Sequence, residues 1–230
     1  MEKKNNTIPI ILAGHSLGEY SALVCSQSLK FYDAIKLIFL REKFMKESMN
    51  NKLGTMYVII GLKKSNVEKI LKNFEYLKNA SIACINTSRQ IVIAGEQNTV
   101  RKISIACKKA GAKKIFKLSV NPPSHCILMK NASQKLSIAL KTIILKKPKF
   151  PVINNVDTKC ETEPLAIKNA LVRQLYSPVQ WFNTIKYLCK IHVSMFIEAG
   201  LNNTLTNLNK FIVAIPSISL NNKIHLLKKL

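Results

Sequence analysis

Acidic residues and arginine are both scarce in this 230-residue chain. Twelve Asp and Glu stand against 36 Lys and Arg, for a formal net charge of +24 at pH 7. Only Arg41, Arg89, Arg101 and Arg173 are arginines, so the excess is lysine, scattered mostly in ones and twos. A charge of that size first suggests nucleic acid or an anionic membrane. Nucleic-acid readers, however, lean on the arginine fork for base and phosphate contacts, and no basic patch here is interleaved with aromatics. Abundant lysine, asparagine and isoleucine are what codon drift in an AT-rich genome produces. A nucleic-acid function is therefore set aside, and the basic surface is left for an acidic protein partner.

Long apolar runs are also missing. None approaches the ~18 residues of a membrane-spanning helix. The six-residue apolar stretch after the polar start contains Pro9 and is too short for the core of a signal peptide. The six cysteines (Cys25, Cys84, Cys107, Cys126, Cys160 and Cys189) lie far apart, with no CxxC and no Cys/His cluster at zinc spacing. Reduced thiols in a cytoplasmic protein are the expectation. What is present is ordinary globular material, 47% apolar and 21% charged. It suffices for one compact domain, or a larger domain carrying a smaller insert.

Apolar patterning divides the chain. Ile8 to Ala13 reads as a strand buried on both faces of a parallel sheet. Helices follow over Glu19 to Gln27 and Phe31 to Met49. Between Gly54 and Val120 the pattern predicts strand, helix, two strands about a polar turn, a helix stopping at Gly111, and a last strand. That β-α-β-β-α-β order is the ferredoxin-like arrangement. After Pro122-Pro123 alternation resumes, with helices over Ile127–Leu145, Leu165–Leu175 and Val179–Lys190, and another starting near Asn203. Strands are expected at Val152–Asn154, Val193–Glu198 and Ile212–Ile215. The fold class is α/β: an α/β-hydrolase-like, mostly parallel sheet domain (1–52 and 122–230) with a ferredoxin-like subdomain inserted at 53–121.

Gly14-His15-Ser16-Leu17-Gly18 matches G-x-S-x-G, between an apolar run and a helical one. In that context the serine sits on a sharp strand-to-helix turn whose flanking positions have no room for side chains. Its hydroxyl is exposed at a helix N-terminus, and the Leu17 amide can face an oxyanion.

The elbow extends to Gly14-His15-Ser16-Leu17-Gly18-Glu19-Tyr20-Ser21-Ala22, which resembles the active-site signature of bacterial malonyl-CoA:acyl-carrier-protein transacylases. The resemblance continues in order through Arg41-Glu42-Lys43-Phe44-Met45, Ile60-Gly61-Leu62, Gln90 to Gly95 and Ala110-Gly111-Ala112-Lys113. It goes on through Pro123-Ser124-His125-Cys126, Asn154-Asn155-Val156-Asp157, Val172 to Tyr176 and Pro178-Val179-Gln180-Trp181, covering nearly the whole chain. It implies Ser16 as nucleophile and His125 as its base, since a serine hydroxyl attacks poorly until an imidazole takes its proton. It gives His15 a packing or tuning role and leaves His192 and His225 incidental. In place of a triad carboxylate it implies the backbone carbonyl of Gln174 as partner of His125. Truncating the Gln174 side chain should then be mild.

The resemblance assigns Arg41 to the malonyl carboxylate, which a guanidinium fork fits with two parallel hydrogen bonds. It implies ping-pong transfer from malonyl-CoA through a malonyl-serine to the phosphopantetheine thiol of acyl carrier protein, in fatty-acid biosynthesis, with no metal or redox cofactor. Acidic carrier proteins suit a lysine-rich surface, with Lys113 and Lys114 as candidate contacts.

Two departures stand out. Family members carry a segment before the elbow strand, with a Gly-Gln-Gly loop whose glutamine supplies a second oxyanion amide; nothing in Met1 to Pro9 matches it. The resemblance thus implies an N-terminally truncated chain, through a misassigned start, a split gene or a decayed relic of weak or no activity. Near the C-terminus, Gly200-Leu201-Asn202-Asn203-Thr204-Leu205 replaces Gly-Pro-Gly-Lys-Val-Leu. A serine hydrolase or thioesterase sharing the elbow is the other enzymatic alternative; Arg41 and the missing acid argue against it.

Overall fold

The computed structural model describes residues 8–50, 53–74 and 79–221. Strand β1 (Leu12–Ala13) enters the elbow and helix α1 (Gly18–Cys25) leaves it, followed by the long α2 (Phe31–Met49). Next come β2 (Gly54–Ile60), α3 (Lys64–Lys72), β3 (Ala80–Thr87), β4 (Gln90–Glu96), α4 (Gln97–Lys109) and β5 (Lys114–Lys117). The chain closes with α5 (Lys130–Lys141), β6 (Val152–Ile153), α6 (Pro164–Gln174), α7 (Trp181–Lys190), β7 (Phe196–Glu198), α8 (Thr204–Asn209) and β8 (Ser217–Ser219). The architecture is mixed α/β with parallel pairing: β1 runs parallel to β6, and β7 parallel to β8.

The four middle strands form one sheet in the order β3-β4-β2-β5, every neighbour antiparallel. Side chains alternate across a strand. Met56, Val58, Val92 and Ala94 therefore enter the core shared with α1, α2, α5, α6 and α7. Ile59, Ile91 and Ile93 point the other way, against Val67 of α3 and Val100, Ile103 and Cys107 of α4. Burial on both faces explains why Ile91 to Ala94 reads as an unbroken apolar run. Glu96 caps α4 by accepting from the amides of Asn98 and Thr99. The segment after α6 stitches this sheet to the rest: Val179 donates to the carbonyl of Ala83, and Ile85 donates back to Val179.

Several boundaries differ from expectation, three of them with a clear physical cause. Only Leu12 and Ala13 of the Ile8–Ala13 run are strand; Ile8 and Ile10 are exposed, and Pro9 between them has no amide to give a ladder. The expected helix over Ile127–Leu145 begins as a 3₁₀ turn at Ile127–Met129 and stops at Lys141. Beyond it the amides of Lys146 and Lys149 bond to the carbonyls of Ser28 and Ser26, drawing the chain onto the α1–α2 loop. Ile212–Ile215 is not a strand: the amides of Ile212 and Val213 bond back to Asn209 and finish the turn after α8. The strand is instead Ser217–Ser219, whose polar sequence carries no apolar signal and whose order comes from backbone pairing with β7.

Candidate active site

The elbow is a turn under strain. Ser16 has φ +54°, in the left-handed region that side-chain-bearing residues seldom occupy. The two glycines flanking it are not equivalent. A Cβ on Gly14 would lie 2.0 Å from the backbone carbon and oxygen of Gly18, whereas a Cβ on Gly18 would meet open space. The close approach is thus paid at one position only, a refinement of the expectation that both flanks are crowded.

Ser16 Oγ and His125 Nε2 are 2.7 Å apart. They come from segments 109 residues distant, the elbow after β1 and the loop after β5. His125 is buried and itself at φ +60°. Its Nδ1 lies 2.7 Å from the main-chain oxygen of Gln174, the last residue of α6. A carbonyl can only accept, so Nδ1 carries the hydrogen and Nε2 presents a lone pair to the serine. Burial, aided by the nearby Arg41 cation, pulls the imidazole down to about 3 against the supporting bond to Gln174. The ring is therefore neutral at physiological pH, the state a proton acceptor needs.

Arg41 reaches in from α2. One guanidinium nitrogen is 3.3 Å from Ser16 Oγ, and the residue is buried. Its Nε, shielded from solvent, has no hydrogen-bond partner among the described residues. A buried cation with donor capacity to spare beside the Ser16 hydroxyl is suited to an anionic group. Among the described residues the Leu17 amide also has no backbone acceptor, while the amides of Gly18 and Glu19 bond back to His15 and Ser16. His15 turns away: its Nε2 is 3.0 Å from Asn86 Oδ1 and its ring packs on Trp181, with burial lowering its pKa.

The sequence model of the acyl transferase domain matches residues 7–210. The chain belongs to the acyl transferase family. It is 50% identical over its whole length to the malonyl CoA-acyl carrier protein transacylase of Buchnera aphidicola subsp. Baizongia pistaciae, covering 74% of that protein. To the Escherichia coli K12 protein of the same name it is 44% identical, over 92% of this chain and 69% of that one. Its structure is similar to a malonyl-transacylase solved in complex with a type II polyketide synthase acyl-carrier protein. There the TM-score is 0.95 and the identity 43%, over 99% of this chain and 74% of that one. Similarity is nearly as high to the malonyl CoA-acyl carrier protein transacylase of Coxiella burnetii, with TM-score 0.94 and 37% identity over 97% of this chain and 71% of that one.

In this acyltransferase Gln174 does more than its main chain suggested. Its side chain is fully buried, and Nε2 donates to Glu19 Oε2 at 2.7 Å and to Ser16 O at 3.2 Å. Against the expectation of a mild effect, truncating Gln174 would strip donors from the buried Glu19 carboxylate and from the Ser16 carbonyl. Glu19 and Asn155 carried no sequence-derived role. Asn155 accepts from the Ser16 amide at 2.6 Å and donates to Gly14 O at 2.6 Å. The adjacent Asn154-to-Asp157 turn is closed by Asn154 Oδ1, and Asp157 forms a two-pronged ion pair with Arg173. Lys113 and Lys114 are exposed at the start of β5. His192 is exposed at the end of α7, and His225 lies outside the described residues, as do Met1 to Thr7. A polar cavity by α8 and β8, lined by Asn203, Thr206 and Lys210, shares no residue with this site. Among the described residues no group of three or more His, Cys, Asp and Glu could hold a metal.

Proposed function

We propose that this acyltransferase moves a malonyl group from malonyl-CoA to the phosphopantetheine thiol of acyl carrier protein, in fatty-acid biosynthesis. The observation that carries this reading is the convergence on one oxygen: Ser16 Oγ has the His125 lone pair at 2.7 Å and the Arg41 guanidinium at 3.3 Å. His125 takes the Ser16 proton as Oγ attacks the thioester carbonyl, with the Leu17 amide donating to the developing oxyanion. The carbon–sulfur bond breaks, and the imidazolium returns its proton to the departing CoA sulfur. In the second half the carrier thiol gives its proton to His125 and attacks the malonyl-serine carbonyl. Ser16 leaves as the alcohol, reprotonated by the same imidazole. Gln174 O keeps the ring in the productive tautomer throughout. Arg41 holds the malonyl carboxylate, which selects malonyl over acetyl.

The relatives named above are malonyl transacylases, and one was captured with its carrier. Exposed Lys113 and Lys114 suit an acidic carrier surface. A hydrolytic role is disfavoured by Arg41 and by a carbonyl where a triad has a carboxylate, and a decayed relic by the intact Ser16–His125–Gln174 chain. We read residues 53–121 as a ferredoxin-like subdomain set into an α/β-hydrolase-like domain (1–52 and 122–230). The β3-β4-β2-β5 order with antiparallel neighbours supports it. The six cysteines are free thiols, in keeping with a cytoplasmic enzyme, and no helix among the described residues is long and apolar enough to cross a membrane.

The test is incubation with labelled malonyl-CoA, then with carrier protein. Label should appear on Ser16 and move to the carrier thiol. Free malonate in the absence of acceptor would indicate a hydrolase, and an unlabelled Ser16 would remove the reading.

A further inference from the structure

Glu19 is a buried acid beside the reacting pair, and its carboxylate bonds to neither the Ser16 hydroxyl nor the His125 ring. It sits on α1 three residues beyond the nucleophile, 2% exposed. Its Oε2 accepts two hydrogen bonds from different parts of the chain: the Asn155 amide at 2.9 Å and Gln174 Nε2 at 2.7 Å. Each donor residue then grips one half of the site. The Asn155 side chain spans the elbow, bonding the Ser16 amide and the Gly14 carbonyl. Gln174 presents its main-chain oxygen to His125 Nδ1 while its side chain reaches Ser16 O.

We infer that Glu19 is a positioning residue of the transfer reaction: through Asn155 and Gln174 its carboxylate locks the nucleophile's turn and the imidazole's anchor to each other. A triad acid orients its histidine directly. Here a carbonyl does so, and a carbonyl is only as well placed as the helix end that bears it. The Gln174 side chain ties that helix end to Glu19, so the carboxylate acts one residue further back. Burying a carboxylate is costly where an apolar side chain of similar volume would fill the space. Desolvation pushes Glu19 up to about 7, against the opposing pull of Gln174, Asn155 and Arg41, while Asp157 adds to the rise. A group so costly to bury, bonded to both arms of the site, fits a positional role.

The inference rests on the Ser16–His125 reading, and one set of single-turnover measurements separates the two. Malonyl-enzyme formation is followed by intact mass in the full chain, with the half-saturating malonyl-CoA concentration and the melting temperature measured alongside. Glu19→Ala should slow acylation about 10- to 150-fold, the range expected for loss of hydrogen bonds to a charged group. Half-saturation should stay within about twofold, because no substrate contact is removed. Glu19→Gln, whose amide oxygen can still accept both bonds, should recover most of the rate.

Gln174→Met keeps the carbonyl and deletes the tether to Glu19 together with the longer bond to Ser16 O, and should fall in the same range; it serves if Glu19→Ala does not fold. Combining it with Glu19→Ala should cost no more than the worse single change, as coupled neighbours do. Wild-type acylation in Glu19→Ala, or in Gln174→Met if Glu19→Ala does not fold, overturns the inference. So does a loss that Glu19→Gln fails to relieve, or one that falls on half-saturation or tracks the unfolded fraction. Malonyl uptake by Ser16→Ala would instead overturn the reading beneath it.

Discussion

The two halves of this molecule are stabilised by different means. The four-stranded sheet under α3 and α4 is apolar on both faces, and Ile59, Ile91 and Ile93 are fully buried. The parallel part has strands of two or three residues. At its centre it keeps buried Glu19, Arg41, His125, Asn155 and Gln174, joined by hydrogen bonds across the chain. A sheet of the first kind tolerates volume-conserving change and loses stability when atoms are removed. A polar network of the second kind loses geometry first, because its members hold one another in place. Substitutions in the first region should therefore register as stability, and in the second as rate.

The sharpest separation comes from the proposed nucleophile and base. Ser16→Ala or His125→Ala should lower malonyl transfer by about 10⁴- to 10⁶-fold with the melting temperature nearly unchanged, measured by carrier malonylation and calorimetry. A loss under tenfold in both would break the contrast. The counterpart is Ile93→Ala, which removes a fully buried side chain from the sheet. It should cost about 2–5 kcal/mol in urea unfolding while the turnover number per folded molecule stays near wild type.

Smaller effects probe the border between rate and specificity. Arg41→Ala should reduce the preference for malonyl over acetyl by about 10- to 150-fold, the value of a charged hydrogen bond, read as the ratio of kcat/KM for the two thioesters. An unchanged ratio would mean the guanidinium does not meet the malonyl carboxylate. At the elbow, Gly14→Ala must displace the Gly18 backbone and should cost about 1–3 kcal/mol along with most activity. Gly18→Ala adds a methyl to open space and should be close to neutral in both assays. Equal damage at the two glycines would contradict the asymmetry.

How much of this was legible in the sequence follows from the range of the interactions involved. Ser16, Leu17 and Gly14 lie in one pentapeptide, and α2 declared its full extent through helical spacing and matched the structure at both ends. The antiparallel sheet was readable because its strands are long and apolar. Even the two-residue β6 falls within the strand expected at Val152–Asn154, whereas the polar β8 carries too little apolar pattern to detect. His125 and Arg41 were reached only through resemblance to a family, since neither has a local signature. Glu19, Asn155 and the Gln174 side chain were given no role, because their partners lie 136 and 155 residues apart in the chain. The one available signal was an acid in a helix otherwise committed to the core.

The mildest prediction compares two buried titratable groups of opposite sense. His125 is held down to about 3, so below pH 6.5 the unfolded chain takes up a proton that the folded one refuses. Its contribution to stability is present above 6.5 and is lost as pH falls toward 3. Glu19 is pushed up to about 7, so above pH 4.5 the unfolded chain releases a proton that the folded one keeps. Its contribution is present below 4.5 and is lost as pH rises through 7. Glu19→Gln cannot ionise and leaves His125 untouched, so the difference between variant and wild type isolates the acid. That difference should move in favour of the variant between pH 5 and 8, by on the order of 1 kcal/mol in urea unfolding, and level off above. A difference that is flat, or that favours wild type as pH rises, would mean the carboxylate is stabilised as an anion. The network would then be held by charge, not by the hydrogen bonds that Glu19→Gln preserves.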